Sequence, residues 1–583
     1  MKIISFAVDN FRGISGGLER NIIYFDNSNT LLIFGQNNTG KSAFLHAYEY
    51  FFYNTHPSLE DFYLQDPNNK ISFELEVELS DADKGILEQK SKKASYMFQN
   101  YLSKDGRLKM QKIWGSEDVK TKSKTYKETN RTFSPKTSDW DDKYYGGIGL
   151  HEVFQESLPK PIHIKAMPTE EETEKIVNQI LAIRAEEFLK DAANQKYKDA
   201  IEAIKELKEK MYDPERIQQY KTHVNEQFQK LFSDTQIELD PKEKKNNLTM
   251  SIVGRDYGVK FYRLNSDKGI NEAIPSSYHK IGHGAIRTAI FTLFLMRDIA
   301  EGYERKMGRK NYLVLFEEPE LFLHPKLIKI LRSLIYQISQ DDLPFQILCA
   351  SHSPQMIDIT KSKSSLIRMT KTDGKTRLFQ IDETILMDKA KMEVKHELYE
   401  ALRFNPYICE SFYADEIILV EGDSEAVILR AFLQTAKTSK DIFVLNCGTV
   451  NNIPFFQKIF SKFNIKYHVF CDTDGRFNGK FDQNKQPIFE KFIQGKIYEQ
   501  INEDVKKTGY RVGILRVHDK NFEEAHRLIG SNLKYPFSDD EIKQDGKPFC
   551  ANRYWDDVLK PNLGRSEIDN VPIIKYLKEM LAH

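Results

Sequence analysis

The sequence predicts an α/β fold in which two separate parts of the chain each form a parallel sheet. Near the amino end, a short apolar strand, the eight residues GQNNTGKS and a helix follow one another. Two later apolar strands end in the polar phrases FEEPE and SHSP. From Ile417 onward, a β-α-β-α-β run places carboxylates directly after two of its strands. Strands that alternate with helices in this way are typical of parallel sheets.

Length and composition set the outer limits. A chain of 583 residues is too long for one ordinary core, so we expect two to four domains. Basic and acidic residues both number 85, so net charge indicates no class of partner. The five cysteines form no CxxC pair, which indicates reduced thiols rather than a disulfide framework or a zinc site. The chain has no secretory signal and no apolar run of about 18 residues, so we predict a cytoplasmic protein without a membrane partner.

The first candidate site is a phosphate-binding loop. The apolar strand Leu31 to Phe34 precedes it, and Ala43 to Phe52 have helical character. Backbone N–H groups of such a loop and of the following helix cradle phosphates. Lys41 is expected to reach the β- and γ-phosphates, and Ser42 to hold Mg²⁺. We therefore predict ATP with one Mg²⁺, and three further loop residues would contact the nucleotide: Gly35, Asn38 and Gly40.

An acidic strand end is expected beside this loop, for Mg²⁺ and the attacking water. The apolar strand Tyr312 to Phe316 supplies it, followed by Glu317 and Glu318. Glu317 would take the position on the metal side, and Glu318 would orient or activate the water. The strand Ile347 to Ala350 leads to His352, which we predict to contact the γ-phosphate. An ordinary polar turn residue is the alternative interpretation of His352.

Helical stretches rich in Glu, Lys, Ala and Leu lie between the two halves of this site. Apolar residues recur at helical spacing within residues 169–232. We predict a helical insertion over residues 166–240. Its apolar face needs a partner surface, which is either a second copy of the chain, through a dimerisation arm, or its own domain.

A basic stretch precedes the insertion. Residues 84–136 hold 14 Lys plus Arg and 5 Asp plus Glu, with Trp114 and Tyr101 among the interleaved aromatic residues. Such a stretch either tracks a nucleic-acid backbone or forms a solvated insertion.

The second candidate site is the acidic run after residue 415. Glu421 follows the strand Ile417 to Val420, and Glu425 lies in the first turn of the next helix. Asp472 and Asp474 follow another strand about fifty residues later. Ligand sites in open α/β sheets lie at the carboxyl ends of the strands. Carboxylates this dense repel one another unless cations neutralise them, and hard oxygen ligands suit Mg²⁺ or Mn²⁺.

The phosphate loop, LFEEPE and ASHSP together resemble the ABC-type ATPase heads of recombination and chromosome-maintenance proteins. Such heads close over ATP with a signature loop from a second protomer, which implies a homodimer or higher oligomer. The matching stretch is KIGHGAIRTAIFTLFL, with Gly282 and Gly284 as nucleotide-contacting glycines. The usual serine-glycine-glycine core is absent there, and a glycine turn before a buried helix is the alternative interpretation.

The acidic run resembles the Toprim domain of topoisomerases, primases and certain nucleases. An ATPase head followed by a Toprim domain is similar to the overcoming-lysogenization-defect (OLD) family of ATP-linked nucleases, which includes the Gabija nuclease subunit and some retron effectors. The phrases ILVEGDSE and CDTDG extend the resemblance over nearly the whole chain. Two late Toprim residues of the family match Glu523 in NFEEAH and Lys547 in DGKPFC.

The resemblance implies an ATP-regulated, divalent-metal-dependent DNA endonuclease that nicks DNA or cuts both strands in anti-phage defence. Lys547 would offset phosphate charge, and Glu421 would take part in the chemistry. Two Mg²⁺ or Mn²⁺ ions would be held by five acids: Glu421, Glu425, Asp472, Asp474 and Glu523. The alternative is an ATP-dependent DNA clamp, or a repair or recombination factor, with a regulatory or inactive Toprim domain. A topoisomerase would need a nucleophilic tyrosine domain, for which the residues after Lys547 are too few.

We therefore expect four segments. The ATPase head would comprise residues 1–165 and 241–392, interrupted by the insertion at 166–240, and the Toprim domain would comprise 393–583. The expected partners are DNA, further copies of the chain through the ATPase head and the insertion, and a protein or nucleic acid of a defence system.

Overall fold

A computed structural model describes residues 1–25, 28–90, 94–115, 126–141, 157–166, 214–230, 235–242, 256–265, 270–273, 288, 312–338, 345–358, 365–381, 406–436, 438, 440–476, 479–481, 487–489, 492–508, 513–530 and 532–582. Most of the expected helical insertion and the stretch KIGHGAIRTAIFTLFL lie outside these residues, apart from Thr288. The chain divides into two compact units, Met1–Met387 and Asp388–His583.

The first unit contains fifteen of the described strands. They are β1 Lys2–Asp9, β2 Ile22–Tyr24, β3 Thr30–Phe34, β4 Ile71–Glu78, β5 Arg107–Gly115, β6 Lys127–Ser134, β7 Asp139–Asp141, β8 Lys160–Ile164, β9 Thr235–Lys242, β10 Asp256–Asn265, β11 Ile270–Ala273, β12 Tyr312–Glu317, β13 Phe345–Ser351, β14 Leu366–Thr372 and β15 Lys375–Gln380. Its described helices are α1 Lys41–Tyr53, α2 Asp81–Lys90, α3 Ala94–Tyr101, α4 Pro214–Gln229 and α5 Pro325–Ile338.

The sheet that carries the phosphate loop has the strand order β15-β14-β3-β13-β12-β8. All neighbours pair in parallel except β14 and β15. Strands β12 and β13 are buried along their whole length, as their continuous apolar runs predict. Because these strands run in one direction, the loop after β3, Glu317 at the end of β12 and His352 after β13 leave the sheet at the same edge.

Two antiparallel sheets complete the described part of the first unit, in the orders β2-β1-β4-β5-β6-β7 and β11-β10-β9. Strands β5 and β6 of the six-stranded sheet carry part of the basic stretch, and two aromatic residues of that stretch do not fit the nucleic-acid interpretation. Trp114 and Tyr101 are only 1% and 5% exposed and pack in the hydrophobic core. These two rings stabilise the fold and are not available to stack on nucleic-acid bases.

The second unit is built on a small parallel sheet. Its strands are β16 Glu416–Val420, β17 Ile442–Asn446, β18 Lys466–Asp472 and β19 Leu515–His518. Its described helices are α6 Pro406–Glu410, α7 Asp423–Thr435, α8 Ile453–Lys462, α9 Phe492–Thr508, α10 Phe522–Arg527, α11 Asp539–Asp545, α12 Lys547–Arg553 and α13 Pro572–Leu581. The strand order is β17-β16-β18-β19, with every pair parallel.

Strand β16 is central in this sheet and buried at every residue. The aliphatic run Ile417 to Val420 fits a strand covered on both faces, and α7 and α13 contribute to the core on one of them. The chain leaves this core at Glu421, so the first carboxylate appears where the strand ends. None of the described helices is long and apolar enough to cross a bilayer.

Candidate functional site

The phosphate loop joins β3 to α1 through glycines in backbone conformations that other residues avoid. Gly35 has a φ of 153°, and a Cβ there would lie 2.2 Å from the carbonyl oxygen of Met369. Gly40 is the N-cap of α1, and it has no side chain that could accept a hydrogen bond from the first turn of the helix. The first N–H groups of α1 are therefore available to a phosphate. Asn38 also adopts a left-handed conformation, with a φ of 61°.

Lys41 is the buried cation of this loop. Its Nζ donates hydrogen bonds to the carbonyl oxygens of Gly35 at 2.9 Å and Gln36 at 2.7 Å. Burial lowers the pKa of Lys41 to about 8. A phosphate beside it would compensate the buried positive charge. Ser42 is exposed in the first turn of α1, where its hydroxyl is accessible to a metal ion.

Glu318 and His352 approach each other across two neighbouring strand ends. His352 Nε2 lies 3.6 Å from Glu318 Oε1. Glu318 has a left-handed φ of 40°, and its N–H donates to the carbonyl oxygen of Ala350 at 2.7 Å, which fixes this conformation. Burial lowers the pKa of His352, and the charge of Lys41 lowers it further. A neutral imidazole and a carboxylate close to Lys41 suit the polarisation of a water molecule.

Glu320 orients this pair, although nothing in the sequence singled it out. Its Oε1 accepts hydrogen bonds from Ser351 Oγ at 2.8 Å and from the N–H of His352 at 2.9 Å. It therefore fixes the turn that carries His352. Its place in the phrase EEPE, two residues after Glu318, was the only available signal.

Glu317 faces a different set of groups from the other predicted nucleotide residues. Its Oε1 lies 3.5 Å from His46 Nε2 and 3.3 Å from His163 Nε2, and its Oε2 accepts the N–H of Ala166 at 3.3 Å. The charged neighbours of Lys41 are Glu318 and Glu320. The predicted glycines of the signature stretch, Gly282 and Gly284, lie outside the described residues.

Three acids of the second candidate site meet where β16 and β18 end. Glu421 follows β16, and its Oε2 accepts the N–H of Asp472 at 3.3 Å. Asp472 is the last residue of β18, which pairs in parallel with β16. Glu425 lies in the first turn of α7 and is only 3% exposed. The adjacent parallel strands thus deliver their acids to one edge of the sheet, as predicted for open α/β sheets.

The remaining predicted residues lie around these three acids. Asp474 is exposed, and its Oδ2 accepts a hydrogen bond from Gln494 Nε2 at 3.4 Å. Glu523, in α10, is buried and accepts the hydroxyl of Ser424 at 3.0 Å. Lys547 Nζ lies 3.2 Å from Glu523 Oε1. The charges of Glu523, Lys547 and Asp474 all act on the pKa of Asp472, so these three groups lie near it.

His518 belongs to this site and was not predicted. It ends β19, with Nδ1 3.3 Å from Asp472 Oδ1 and 3.9 Å from Glu425 Oε1. Burial lowers its pKa to about 4, so the imidazole is neutral. No motif surrounds it, and only its position at the end of the strand LRVH indicated a place at this edge.

Two acids of this site have strongly raised pKa values. Burial raises the pKa of Glu425 to about 8, and the charge of Asp472 contributes. Burial and the charge of Glu523 raise the pKa of Asp472 to about 7. Asp472 Oδ1 is buried and has no hydrogen-bond partner within the described part of the chain. A cluster of carboxylate oxygens with one unsatisfied member fits a divalent cation of the Mg²⁺ or Mn²⁺ kind.

Two family models match the chain. The model described as "AAA ATPase domain" matches residues 1–357, and the model described as "Overcoming lysogenization defect protein-like, TOPRIM domain" matches residues 412–474. The second match begins shortly before β16 and ends at Asp474, so it spans four of the five acids.

Three curated proteins are similar to the chain. The Old nuclease of Escherichia phage P2 is 23% identical over 467 residues, which are 76% of this chain and 72% of that protein. The OLD nuclease of Thermus scotoductus is 26% identical over 175 residues, 29% of this chain and 32% of that protein. The endonuclease GajA of Bacillus cereus is 21% identical over 357 residues, 53% of this chain and 51% of that protein.

Solved structures of SMC heads are also similar to part of the chain. An SMC head bound to the C-terminal winged-helix domain of ScpA has a TM-score of 0.40 at 10% identity, covering 66% of this chain and all of that one. The SMC head domain from Thermotoga maritima has a TM-score of 0.33 at 9% identity, with the same coverage.

Proposed function

The chain belongs to the AAA ATPase domain family and carries an overcoming-lysogenization-defect-like TOPRIM domain, and we propose on this basis that it is an ATP-regulated, divalent-metal-dependent DNA endonuclease. One observation supports this proposal above the others. Five carboxylates and Lys547 lie together at the carboxyl edge of a parallel sheet, and burial raises the pKa values of Glu425 to about 8 and of Asp472 to about 7, so a cation bound there would displace protons from these two acids. The three curated relatives are named as nucleases, which agrees with this chemistry.

The roles of the site residues in the second unit would depend on how deeply each side chain is buried. Glu425 and Glu523 are the least exposed of the five acids, and together with Glu421, Asp472 and Asp474 they would hold two cations. Mg²⁺ or Mn²⁺ bound there would supply Lewis-acid activation of water and of the scissile phosphodiester. Glu421 is half-buried, and its raised pKa, caused by burial and by Asp472, suits it to accept a proton from water.

Lys547 would act on the phosphate. Its side chain is 57% exposed while its ammonium group contacts Glu523. It is therefore anchored at the acids and accessible to a nucleic acid from outside. A cation in this position offsets the charge that develops on a phosphate during cleavage.

The first unit would regulate cleavage through ATP. Lys41 and the first N–H groups of α1 would bind the phosphates, with Ser42 on Mg²⁺. Glu318 would orient the attacking water, and His352 would contact the γ-phosphate. We propose that two heads close over ATP and that this closure controls access of DNA to the second unit.

Plasmid cleavage tests the nuclease proposal. Supercoiled plasmid is incubated with the purified chain, with Mg²⁺ or Mn²⁺, and with or without ATP. We expect nicked or linear DNA with free 3′ hydroxyls, and we expect Glu421→Ala and Asp472→Ala to abolish it.

Neighbouring acids provide a matched control. Glu523→Gln is expected to lose cleavage, whereas Glu524→Gln, which alters a partly exposed acid paired with Lys520, is expected to retain it. Relaxed closed circles would instead indicate a topoisomerase. Intact plasmid with wild-type protein that still binds DNA would support an ATP-dependent clamp and contradict the nuclease proposal.

We also propose that cleavage serves anti-phage defence in the cytoplasm, with the chain acting as an oligomer alongside a partner from a defence system. The OLD-like TOPRIM match supports this assignment. Plaque counts on cells that express the wild-type chain should fall relative to cells that express Glu421→Ala. Equal counts with several unrelated phages would contradict the defence role and leave the nuclease chemistry intact.

A further inference from the structure

Two histidines of the first unit, His46 and His163, lie between the same two carboxylates. Glu49 Oε2 lies 2.7 Å from His163 Nδ1 and 3.2 Å from His46 Nδ1. The opposite ring nitrogens, both Nε2, lie 3.3 Å and 3.5 Å from the same oxygen, Glu317 Oε1. The carboxylate of Glu49 thus contacts Nδ1 of both rings, and the carboxylate of Glu317 faces Nε2 of both rings.

Secondary structure fixes this arrangement. His163 in β8 pairs with Leu315 in β12, so Glu317, two residues beyond Leu315, projects from the same face of the sheet as His163. His46 and Glu49 are three residues apart on α1 and therefore neighbours on its surface. Tyr48 ties α1 to this part of the sheet, because its hydroxyl donates to the carbonyl oxygen of Pro159 at 2.6 Å.

The spacing matches a small metal site. His46, His163 and Glu317 offer ligand atoms that all lie within 4.8 Å of one another. Two ligands at about 2.0–2.1 Å from a tetrahedral zinc ion lie about 3.3 Å apart, close to both Nε2–Oε1 distances. Histidines that bind metal commonly donate their other N–H to a carboxylate, which is the position of Glu49.

Charge points in the same direction. Two carboxylates face two imidazoles in a site where His163 and Glu317 are each 8% exposed. Neutral imidazoles would leave two negative charges there, and a divalent cation would balance both of them. His163 Nε2 is buried and makes no hydrogen bond of good geometry within the described residues. His46 is a quarter exposed, which provides a route of entry for an ion.

We propose that His46, His163 and Glu317 bind a divalent transition-metal ion, represented by Zn²⁺, and that Glu49 orients both imidazoles toward it. Two histidines and one glutamate are a common zinc ligand set, with the fourth position left for water. Nitrogen donors favour zinc over Mg²⁺ here, in contrast to the carboxylate-rich site of the second unit. This ion would hold Glu317 at the end of β12, next to the helix that follows the phosphate loop, and it would replace the Mg²⁺ role that the sequence predicted for this carboxylate.

A metal-free network is the competing explanation. Burial lowers the pKa of His163, but its contacts with the carboxylates of Glu317 and Glu49 outweigh burial and raise that pKa to about 9. A protonated His163 between two acids would thus satisfy the same geometry. The two explanations differ in whether the purified protein contains a metal.

Metal analysis of the full-length chain separates them. The Asp472→Asn variant serves as the background, since it removes a ligand from the other acidic site. After equilibration with a small molar excess of Zn²⁺ and removal of unbound ion, elemental analysis should find one zinc ion per chain. The zinc should be lost in His46→Gln and Glu317→Gln. Glu49→Gln should retain the site with an affinity weakened by about 10–100-fold.

The matched control is His56→Gln, which alters an exposed histidine just beyond α1 and should retain all zinc. Cobalt substitution gives a second readout: the four-coordinate Co²⁺ visible spectrum should appear in the background variant and vanish in His46→Gln. Circular dichroism verifies that each variant is folded. Background protein without zinc, or zinc retained in folded His46→Gln and Glu317→Gln, would overturn the proposal and support the protonated network. Neither result depends on DNA cleavage.

Discussion

Lys547 Nζ lies 3.2 Å from Glu523 Oε1, and the two residues belong to α12 and α10, which are separated along the chain by α11. Glu523 is also fixed by the hydroxyl of Ser424, which precedes the buried acid Glu425. Through these contacts α7, α10 and α12 converge on one carboxylate. Within the described part of the second unit, Lys547 is the only lysine in contact with these acids. Three helices thus determine its position.

Removing the charge of Lys547 should slow DNA cleavage more than it weakens DNA binding. A positive charge that mainly stabilises the negative charge developing on the phosphate in the transition state increases the rate by about 100- to 1,000-fold. Lys547→Met should therefore reduce single-turnover cleavage by about that factor, with a smaller change in DNA affinity. Lys543→Met, at an exposed lysine of the same region, is the control. Equal losses in both variants would indicate a non-specific electrostatic effect.

Divalent cations should stabilise the second unit, and more strongly at pH 8 than at pH 6. The folded-state pKa values of Glu425 and Asp472 are raised to about 8 and about 7, so both acids retain protons at pH 6. Without cations, the protonated acids favour the folded state at low pH. This contribution to the free energy of unfolding is lost as the pH rises through their folded-state pKa values, because the same acids ionise more readily in the unfolded chain. Cations replace the protons and reverse that loss.

Thermal unfolding with and without Mg²⁺ or Mn²⁺ measures this effect. The increase in Tm should be larger at pH 8, and Glu425→Gln should remove most of it, because the amide needs no cation. A cation-induced increase that is the same at both pH values in the wild-type chain would contradict the assignment of these acids as ligands.

Acid should destabilise the second unit through His468. Its Nδ1 accepts the N–H of Ile514 at 3.1 Å, and its Nε2 therefore carries the proton and donates to Glu416 at 3.0 Å. Burial lowers the pKa of His468 despite its contact with Glu416. As the pH falls below about 6.5, the unfolded chain takes up a proton that the folded chain does not, and stability falls.

Urea unfolding between pH 7 and pH 5 tests this linkage. His468→Gln should reduce the dependence of the unfolding free energy on pH by up to about 1.4 kcal/mol per pH unit, the value for one proton. An unchanged pH dependence in a folded variant would show that another group carries the effect.

Gly35→Ala should abolish ATP binding. The added Cβ would lie 2.2 Å from the Met369 carbonyl oxygen, in a backbone conformation that alanine rarely adopts, so the loop must move away from its phosphate-binding shape. Gly85→Ala, in α2, meets no atom within 4 Å and should retain ATP affinity while it stabilises the helix by about 0.5–1 kcal/mol. Titration with a fluorescent ATP analogue measures both. Normal affinity in Gly35→Ala would contradict the predicted role of this loop.

The sequence was most informative where a buried strand ends in charged residues. The runs before Glu317, Glu421 and Asp472 are strands, and the family matches confirm both the ATPase assignment of the first part of the chain and the OLD-like TOPRIM assignment of the second. A strand of apolar residues has few alternatives once it is covered on both faces, and the direction of parallel strands then determines where its end lies.

Residues that act through distant neighbours were missed. His46 and His163 are 117 positions apart, and they meet because α1, which carries His46, packs beside the sheet in which β8 pairs with β12. Tyr101 and Trp114 were open to a nucleic-acid interpretation because charge patterning does not reveal which face of a helix or strand is buried. The division into segments and the individual roles of the site residues stay predictions, as does the signature loop at Gly282 and Gly284, which lies outside the described residues.

The strand that precedes the phosphate loop, β3, pairs with two strands that come much later in the sequence. Its two neighbours in the sheet are Phe345–Ser351 and Leu366–Thr372, more than 300 residues after it. During synthesis, the loop therefore emerges from the ribosome long before either strand that holds it in place. Contacts between such distant segments form slowly, so the nascent chain acquires its nucleotide-binding sheet only after Thr372 has been released, when most of the first unit has already been made.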